Sequence, residues 1–522
     1  MQLRKIDLAD THAFSSFFLD YVSGRETLTP FYHHPPTVRG IGAQVEQKKS
    51  FPAASREVLV RTLRKQYATL KPTGAVAASI EALGQPTTFT ITTGHQLNIF
   101  TGPLYFVYKI VTVINACKQL KKAYPQYEFV PVYWMASEDH DYEEIKSFRL
   151  AGKKYTWETD QTGAVGRFAP TGLAALAKSL PADASLFAKA YAKNPTLAEA
   201  VREYVHGLFE AEGVVVMDAD DADLKRLFLP VMHADILEQQ PAAWVAQTNQ
   251  RLEAAGYHPQ VHARDINFFY LAGSTRSRIE KQGAVFRVVD SALVFTADEI
   301  KQRMHDHPDE FSPNVILRPL YQEMILPNVA YVGGPAEMVY WLQLKRVFEE
   351  VGQPFPVLLP RNFALVVDAP TARKQDKTGL DLPLFFHEKN YLYNHWVLKH
   401  SQATVSTSAE QHQVAALFQA LRARAGAIDA TLQKNVEAQA QRVTNALAAI
   451  ETKMLRAEKR KQADKLRQIE AVKDQLFPQG GLQERSDNLL NFYPADPNFL
   501  THLLAHFDPF DFRFHVLTYD QG

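Results

Sequence analysis

Apolar positions along this chain follow two periods. Thr87 to Thr92, Glu128 to Trp134, Gly213 to Asp218, Asn328 to Val332 and Phe355 to Leu359 are short, nearly unbroken β-favouring runs. Runs of that kind fit strands covered on both faces, as in a parallel sheet. Between them the period lengthens to three and four. Leu104, Val107, Val111 and Ile114 predict a helix after the first run, Leu224 to about Leu237 another, and Pro335 opens a third that runs towards Gly352. Strands alternating with helices from 85 to 365 predict an α/β domain with a mostly parallel, doubly wound sheet.

The flanks read differently. Residues 1 to about 84 are mostly helical in pattern, with Phe14, Phe17, Phe18 and Tyr21 on one face and a structural break at Phe31 to Pro36 that includes His33 and His34. Residues 150 to 210 read as an insertion. The alternating runs near Ile266 to Leu271, Arg276 to Glu280, Ala284 to Val288 and Ala292 to Phe295 read as a small appended sheet, a second insertion over about 272 to 310. Beyond a polar, linker-like stretch at Asp368 to Thr378, Ser408 with Gln411 predicts a capping box for a short helix. No glycine or proline then occurs between Gly426 and Pro478. About fifty residues without a breaker predict a helix on the order of 75 Å. Leu432, Val436, Val443, Leu447, Ile450, Met454 and Ala457 trace its stripe, which lapses at Glu458 to Lys465 and resumes at Leu466 and Ile469. That is an interrupted coiled coil, packed on the shorter helix or on another subunit. The chain therefore divides into a core, 1–375, and a coiled-coil domain, 376–522, whose aromatic tail Phe507 to Phe514 docks back on the core.

Composition narrows the chemistry. Lys plus Arg and Asp plus Glu both number 57, so no global field recruits nucleic acid or membrane. The single cysteine, Cys117, excludes an intrachain disulfide and a multi-cysteine metal site, and its place on the helical stripe reads as packing. The N-terminus has no apolar signal core and no run is long enough to span a bilayer, so the expected location is the cytoplasm. Neither G-x-G-x-x-G nor G-x-x-x-x-G-K-[ST] follows any strand, which weighs against hydride transfer and P-loop hydrolysis.

Three stretches carry candidate chemistry. From Thr92 to Lys109 the order is strand, glycine-bearing loop, helix, with Pro103 at the first helical position and Thr101 or Gly102 as cap. Free amides at such an end favour phosphate or carboxylate, and Lys109, leaning back along the helix, adds a mobile positive charge. Glu138, Asp139, His140 and Asp141 follow the second strand, where open α/β sheets place ligands. Adjacent residues rarely chelate one ion together, so this segment reads as a polar wall and not a metal triad. Gly333-Gly334-Pro335 repeats the strand, glycine, helix logic, and Glu337 in its first turn suits an amine, a ribose hydroxyl or its own capping box. Arg318 and Gln322 lie one helical turn apart and face one pocket. Arg361 closes the last strand. Arg276, Arg278 and Lys281 read as a solvated basic loop, and Gln483, Glu484 and Arg485 have no packing role in the pattern.

Thr93-Gly-His-Gln, Thr101-Gly-Pro-Leu-Tyr, Tyr108-Lys109, Trp134 with Glu138-Asp-His-Asp, Arg318-Pro-Leu-Tyr-Gln, Gly333-Gly-Pro-Ala-Glu, Leu359-Pro-Arg and Leu476-Phe-Pro with Gln483-Glu-Arg occur in that order. Together they resemble the cysteine ligases of bacillithiol biosynthesis, the BshC family. The resemblance implies a Rossmann-like core with inserted connecting segments, related to class I nucleotidyl-transferring ligases, and a coiled coil serving homodimerisation. It implies ATP, with Mg, as cofactor, and L-cysteine joined to the amino group of glucosaminyl-malate, with no nucleic-acid or membrane partner. On that reading Gly94, His95, Gln96, Gly102 and Lys109 hold phosphates, while Asp139, His140 or Glu337 orients the amine and takes its proton. Thr93, Glu138, Arg318, Gln322, Gly333, Gly334 and Arg361 complete the binding set, with no metal ligands among them. Many family members carry glutamine where this chain has His95, which favours a shape or hydrogen-bonding role there. The rival reading is a non-catalytic, nucleotide-binding scaffold of a thiol pathway; a metal-dependent hydrolase using Glu138 to Asp141 ranks below it.

Overall fold

A computed structural model describes residues 1–72, 74–401 and 404–520. Its centre is a five-stranded sheet: β1 (Thr88–His95), β2 (Glu128–Met135), β3 (Val215–Asp218), β4 (Asn328–Gly333) and β5 (Val357–Pro360). These are the five apolar runs, and their side chains are almost all buried. The spatial order is β3-β2-β1-β4-β5, every pair parallel. The chain builds outward from β1 through β2 to β3, then returns to the other side of β1 for β4 and β5. Strand order thus reverses between β1 and β4, and a crevice opens beyond their carboxyl ends, at His95 and Gly333.

Helix α1 (Tyr105–Ala123) covers β1 and β2 and buries Val107, Val111, Ile114 and Cys117, as its periodicity predicts. It starts two residues later than Pro103. Phe100 and Thr101 adopt left-handed φ of 52° and 69°, and Gly102 has φ 61° with ψ −140°. Thr101 and Gly102 therefore turn the chain and do not cap the helix. The helices expected over 224–237 and 335–352 are each divided: Ala222–Arg226 and Leu229–Ile236, then α3 (Pro335–Leu342) and Lys345–Val351. In the first case Pro230 begins a new helix, because its ring excludes the preceding turn.

The 150–210 region holds a hairpin strand (Lys153–Thr156, paired with Ser147–Leu150) and three helices, Leu173–Ser179, Ser185–Lys193 and Leu197–Phe209. The appended sheet is antiparallel, Phe268–Ala272, Thr275–Gln282, Val285–Val288 and Val294–Thr296, extended by Phe311–Pro313 at its other edge. The N-terminus is not wholly helical. Gln2–Ile6 pairs antiparallel with Phe514–Thr518, which lies parallel to Ala364–Val367. That short, polar strand carries no pattern of its own; the returning tail recruits it.

The coiled-coil domain corrects the long-helix expectation. α4 (Ser408–Ile428) and α5 (Leu432–Lys461) form a hairpin, joined by a turn that Asp429 closes on Thr431 and clasped by the Arg422–Glu437 pair at 2.8 Å. The cap of α4 is Thr407, not Ser408; its hydroxyl bonds Glu451 and accepts the Gln411 amide. The helix of about fifty residues breaks at Gln462, inside the lapse of its stripe, into α5 and α6 (Ala463–Leu476). Leu466, Ile469, Val472 and Leu476 of α6 are buried, whereas Leu417, Leu421, Ile428, Leu432, Val443 and Ile450 of the hairpin are exposed. The tail docks as expected, with Phe507 against Tyr108 and Asn115 bonding the carbonyl of Phe507.

Candidate active site

The crevice between β1 and β4 deepens into a cavity of about 790 Å³. Gly94, His95 and Gln96 leave β1 into its floor. A side chain at Gly94 would meet the Tyr331 hydroxyl at 3.2 Å and Arg318 Nη1 at 3.5 Å, so glycine keeps this end of the strand open to the arginine. Glu138 and Asp139 come from the end of β2, Gly334 and Glu337 from the start of α3, and Arg318 from α2 (Arg318–Ile325).

Lys109 stands at the centre, 3% exposed. Its Nζ donates to the Gly94 carbonyl at 2.9 Å and lies 2.6 Å from Glu337 Oε2. It is an anchored charge, not the mobile one expected. Glu337 also accepts from the Gly334 N–H at 2.8 Å and the Tyr331 hydroxyl at 2.7 Å. Burial pushes the Lys109 ammonium below its ordinary value against the pull of Glu337. Burial also presses on Glu337, yet Lys109 and the Gly334 amide hold its carboxyl below the usual range. The ring of His95 lies between Tyr105 and Phe106, and its buried Nε2 has no partner among the described residues. Burial, then Lys109, drive its pKa down to about 3, so it is neutral at physiological pH.

Glu138, Asp139 and Glu144 add carboxylates to the lining, with Arg276 4.0 Å from Asp139. The Gln96 amide donates to Asp139 at 2.9 Å and to Glu144. Asp139 also accepts the His140 N–H at 2.7 Å; these bonds outweigh burial and hold it well below the ordinary carboxylate range. Glu138 is paired with Lys225, which is fully buried. Arg276 lies over Phe269, 4.1 Å from its ring centre, with Nη1 2.6 Å from His140 Nδ1.

Several expected binding residues stand elsewhere. Thr93 turns its hydroxyl to the Val332 carbonyl at 2.8 Å, tying β1 to β4. Gly333 is packed beneath α3, where an added Cβ would lie 2.5 Å from Met338 Cε. Gln322 lies behind Arg318, accepting from its guanidinium at 3.3 Å and bonding Glu323. Gly102 faces the tail. His140 sits outside the lining, against Arg276. Two amides at the helix starts are occupied: Leu104 N–H donates to the Asp487 carbonyl at 2.8 Å, and Gly334 N–H donates to Glu337 at 2.8 Å. Side-chain cations also line the cavity.

Those cations include residues that the pattern left unassigned. Arg485 enters from the tail, and Arg276, expected in a solvated loop, lines the cavity. Arg361 is held by Glu484 at 2.5 Å, both buried. Arg318, Arg485 and Arg264 have no carboxylate within 4 Å among the described residues. They fit a polyanion such as a nucleotide's phosphates. Among those residues no three His, Cys, Asp or Glu side chains are grouped to hold a metal.

The sequence matches two family models: the N-terminal Rossmann-like domain of bacillithiol biosynthesis BshC over residues 1–362, and its C-terminal coiled-coil domain over 364–519. Curated relatives named "Putative cysteine ligase BshC" include those of Cytophaga hutchinsonii, 41% identical across 99% of both chains, and Christiangramia forsetii, 38% identical across 98% of both. One from Salinibacter ruber is 32% identical across 92% of both. A doubly wound core with a cavity at its switch point, a helical hairpin behind it and matches along its full length place this chain in the BshC family of bacillithiol biosynthesis.

Proposed function

We propose that this protein joins L-cysteine to the amino group of glucosaminyl-malate, using ATP with Mg to activate the cysteine carboxyl group. The observation that carries the reading is one cavity lined both by arginines without a carboxylate partner among the described residues and by carboxylates. Arg318, Arg485 and Arg264 suit phosphates and carboxylates, while Glu138, Asp139 and Glu144 suit an amine. An amide forms in water only once the carboxylate carries a leaving group, so acyl phosphate or acyl adenylate precedes attack by the amine. Lys109, fixed and shielded from water, stabilises the charge that develops on the activated carboxyl and its leaving group. Asp139, bonded to Gln96 and ionised, orients the incoming ammonium. The exposed apolar positions of the α4–α5 hairpin support pairing with a second copy of the chain. The absence of any helix long and apolar enough to cross a membrane, among the described residues, is compatible with action in the cytoplasm.

The test is purified protein with ATP, Mg, cysteine and glucosaminyl-malate, the product followed by mass. The wild type should form the amide. Lys109→Met should lower turnover by at least about 100-fold. Equal turnover in the variant rejects the role of Lys109. Nucleotide binding without product in a single turnover favours the scaffold.

A further inference from the structure

The cavity holds four carboxylates, and in forming an amide the attacking nitrogen must shed a proton to an acceptor within reach. Glu337 has both oxygens occupied, Oε2 by Lys109 and Gly334 and Oε1 by Tyr331. Asp139 uses one oxygen on the His140 N–H and the other on Gln96. Glu144 is exposed and carries the same Gln96 amide. Glu138 differs. Its side chain is 12% exposed, Oε1 takes the Lys225 ammonium, and no donor among the described residues bonds Oε2.

The support behind Glu138 is elaborate for a surface of this size. Lys225 is 0% exposed and also reaches Asp220 at 3.4 Å and the Asp309 carbonyl at 3.3 Å. Asp220 is gripped in turn by Arg167 through two bonds, at 2.8 and 2.9 Å. Buried charge ladders add little or nothing to stability compared with an apolar packing of the same volume. What this one does is hold one oxygen of Glu138 fast and leave the other facing the cavity. We infer that Glu138 is the base of the ligation step, with Lys225 as its positioning residue. The inference rests on the ligase reading above and assigns to Glu138 the proton transfer that the sequence offered to Asp139, His140 or Glu337. Burial, the largest influence on Glu138, also raises its basicity against the pull of Lys225, which suits a proton acceptor better than the strongly ionised Asp139.

The step balances as follows. The sugar ammonium releases one proton to solvent. The neutral nitrogen forms a bond to the acyl carbon of the activated cysteine, an acyl phosphate or acyl adenylate. The bond from that carbon to the leaving phosphate oxygen breaks with its electron pair. The second proton passes from nitrogen to Oε2 of Glu138, which becomes a neutral acid and later returns the proton to solvent.

Glu138→Gln tests this with two acceptors, glucosaminyl-malate and hydroxylamine. Hydroxylamine is neutral near pH 7 and attacks activated carboxyl groups unaided. Amide formation with the sugar should fall by about 100-fold or more, while cysteine hydroxamate formation stays within about threefold of wild type. The double variant E138Q/K225M, which removes both charges of the Glu138–Lys225 pair and leaves Asp220 to Arg167, should show the same split and guards against misfolding of the single variant. Equal loss on both acceptors, or no loss on the sugar, overturns the role of Glu138. A wild type that forms neither product overturns the ligase reading, and this inference with it.

Discussion

His95 lines the candidate site as a neutral, packed ring. It sits at the end of β1 beside Lys109, yet burial keeps its ring neutral, with a pKa of about 3 in the fold against 6.5 in the free side chain. Between those values the unfolded chain binds a proton that the folded chain refuses. Its contribution to stability is therefore complete above pH 6.5 and is lost as pH falls from there towards 3, at up to about 1.4 kcal/mol per pH unit. Glutamine has the polarity of the neutral ring and does not titrate. His95→Gln should flatten the acid side of the stability profile by that slope, measured by urea unfolding at pH 7, 6, 5 and 4; an unaltered slope refutes the buried neutral ring. At this scale the sequence was half legible. Lys109 and Glu337 were each visible as residues at the start of a helix after a glycine-bearing turn. Their pairing across 2.6 Å was not, since it depends on β1 and β4 being neighbours. Thr93 and Gln322 misled because a polar residue near a motif reads the same whether it faces the ligand or the next strand.

Local geometry at the loop from Asn98 to Leu104 follows from contacts that no local pattern contains. Asn488, far along the chain, donates to the carbonyls of Phe100 and Gly102 at 2.7 and 2.6 Å, and Pro103 bridges to it. These bonds hold Phe100 and Thr101 in left-handed conformations and push the start of α1 past Pro103. Gly102 is required on two counts. Its φ of 61° with ψ −140° is a region that side chains avoid, and a Cβ there would come within 2.5 Å of Asn98 Cβ. Gly102→Ala should destabilise the protein by about 1–3 kcal/mol, read as a lower denaturation midpoint, and unchanged stability would show that the turn relaxes freely. The strands needed no such help: each of the five was written as a β-favouring run, four of them mainly apolar and β1 alternating threonine with Phe89 and Ile91, its threonine hydroxyls bonded to the next strand. The division of the coiled coil at Gln462 was written too, as a lapse in the stripe. What could not be read was that α6, beyond the break, belongs to the core packing and not to the hairpin.

On the scale of the whole molecule, the two family domains line one cavity. The segment after α6 returns across the sheet. Gln483 mimics a strand neighbour, accepting from Val366 N–H at 2.8 Å and donating to its carbonyl at 2.9 Å. Glu484 accepts from Ala364 N–H at 3.0 Å and holds Arg361, Asn488 secures the loop after β1, and Arg485 between them projects into the cavity. Of a triplet with no packing role in the linear pattern, Gln483 thus fixes the turn on Val366, while Glu484 and Arg485 tie it to Arg361 and the cavity. If this fastening matters, its charge pair should behave unlike pairs on the surface. Arg361 and Glu484 are 2% and 0% exposed, so removing the carboxylate strands a buried guanidinium, a loss of about 3–5 kcal/mol. Arg4 and Asp381 form an equally direct pair at 2.7 Å but are 51% and 63% exposed, where water and salt replace the partner and deletion costs at most about 1 kcal/mol. Glu484→Ala should therefore lower stability by several times more than Asp381→Ala in parallel urea titrations. Because Arg485 is positioned by the same short turn, Glu484→Ala should also raise KM for the anionic substrate in the protein that remains folded. Comparable small losses in the two variants, with KM unmoved, would mean that the tail only rests on the core and that the cavity is complete without it.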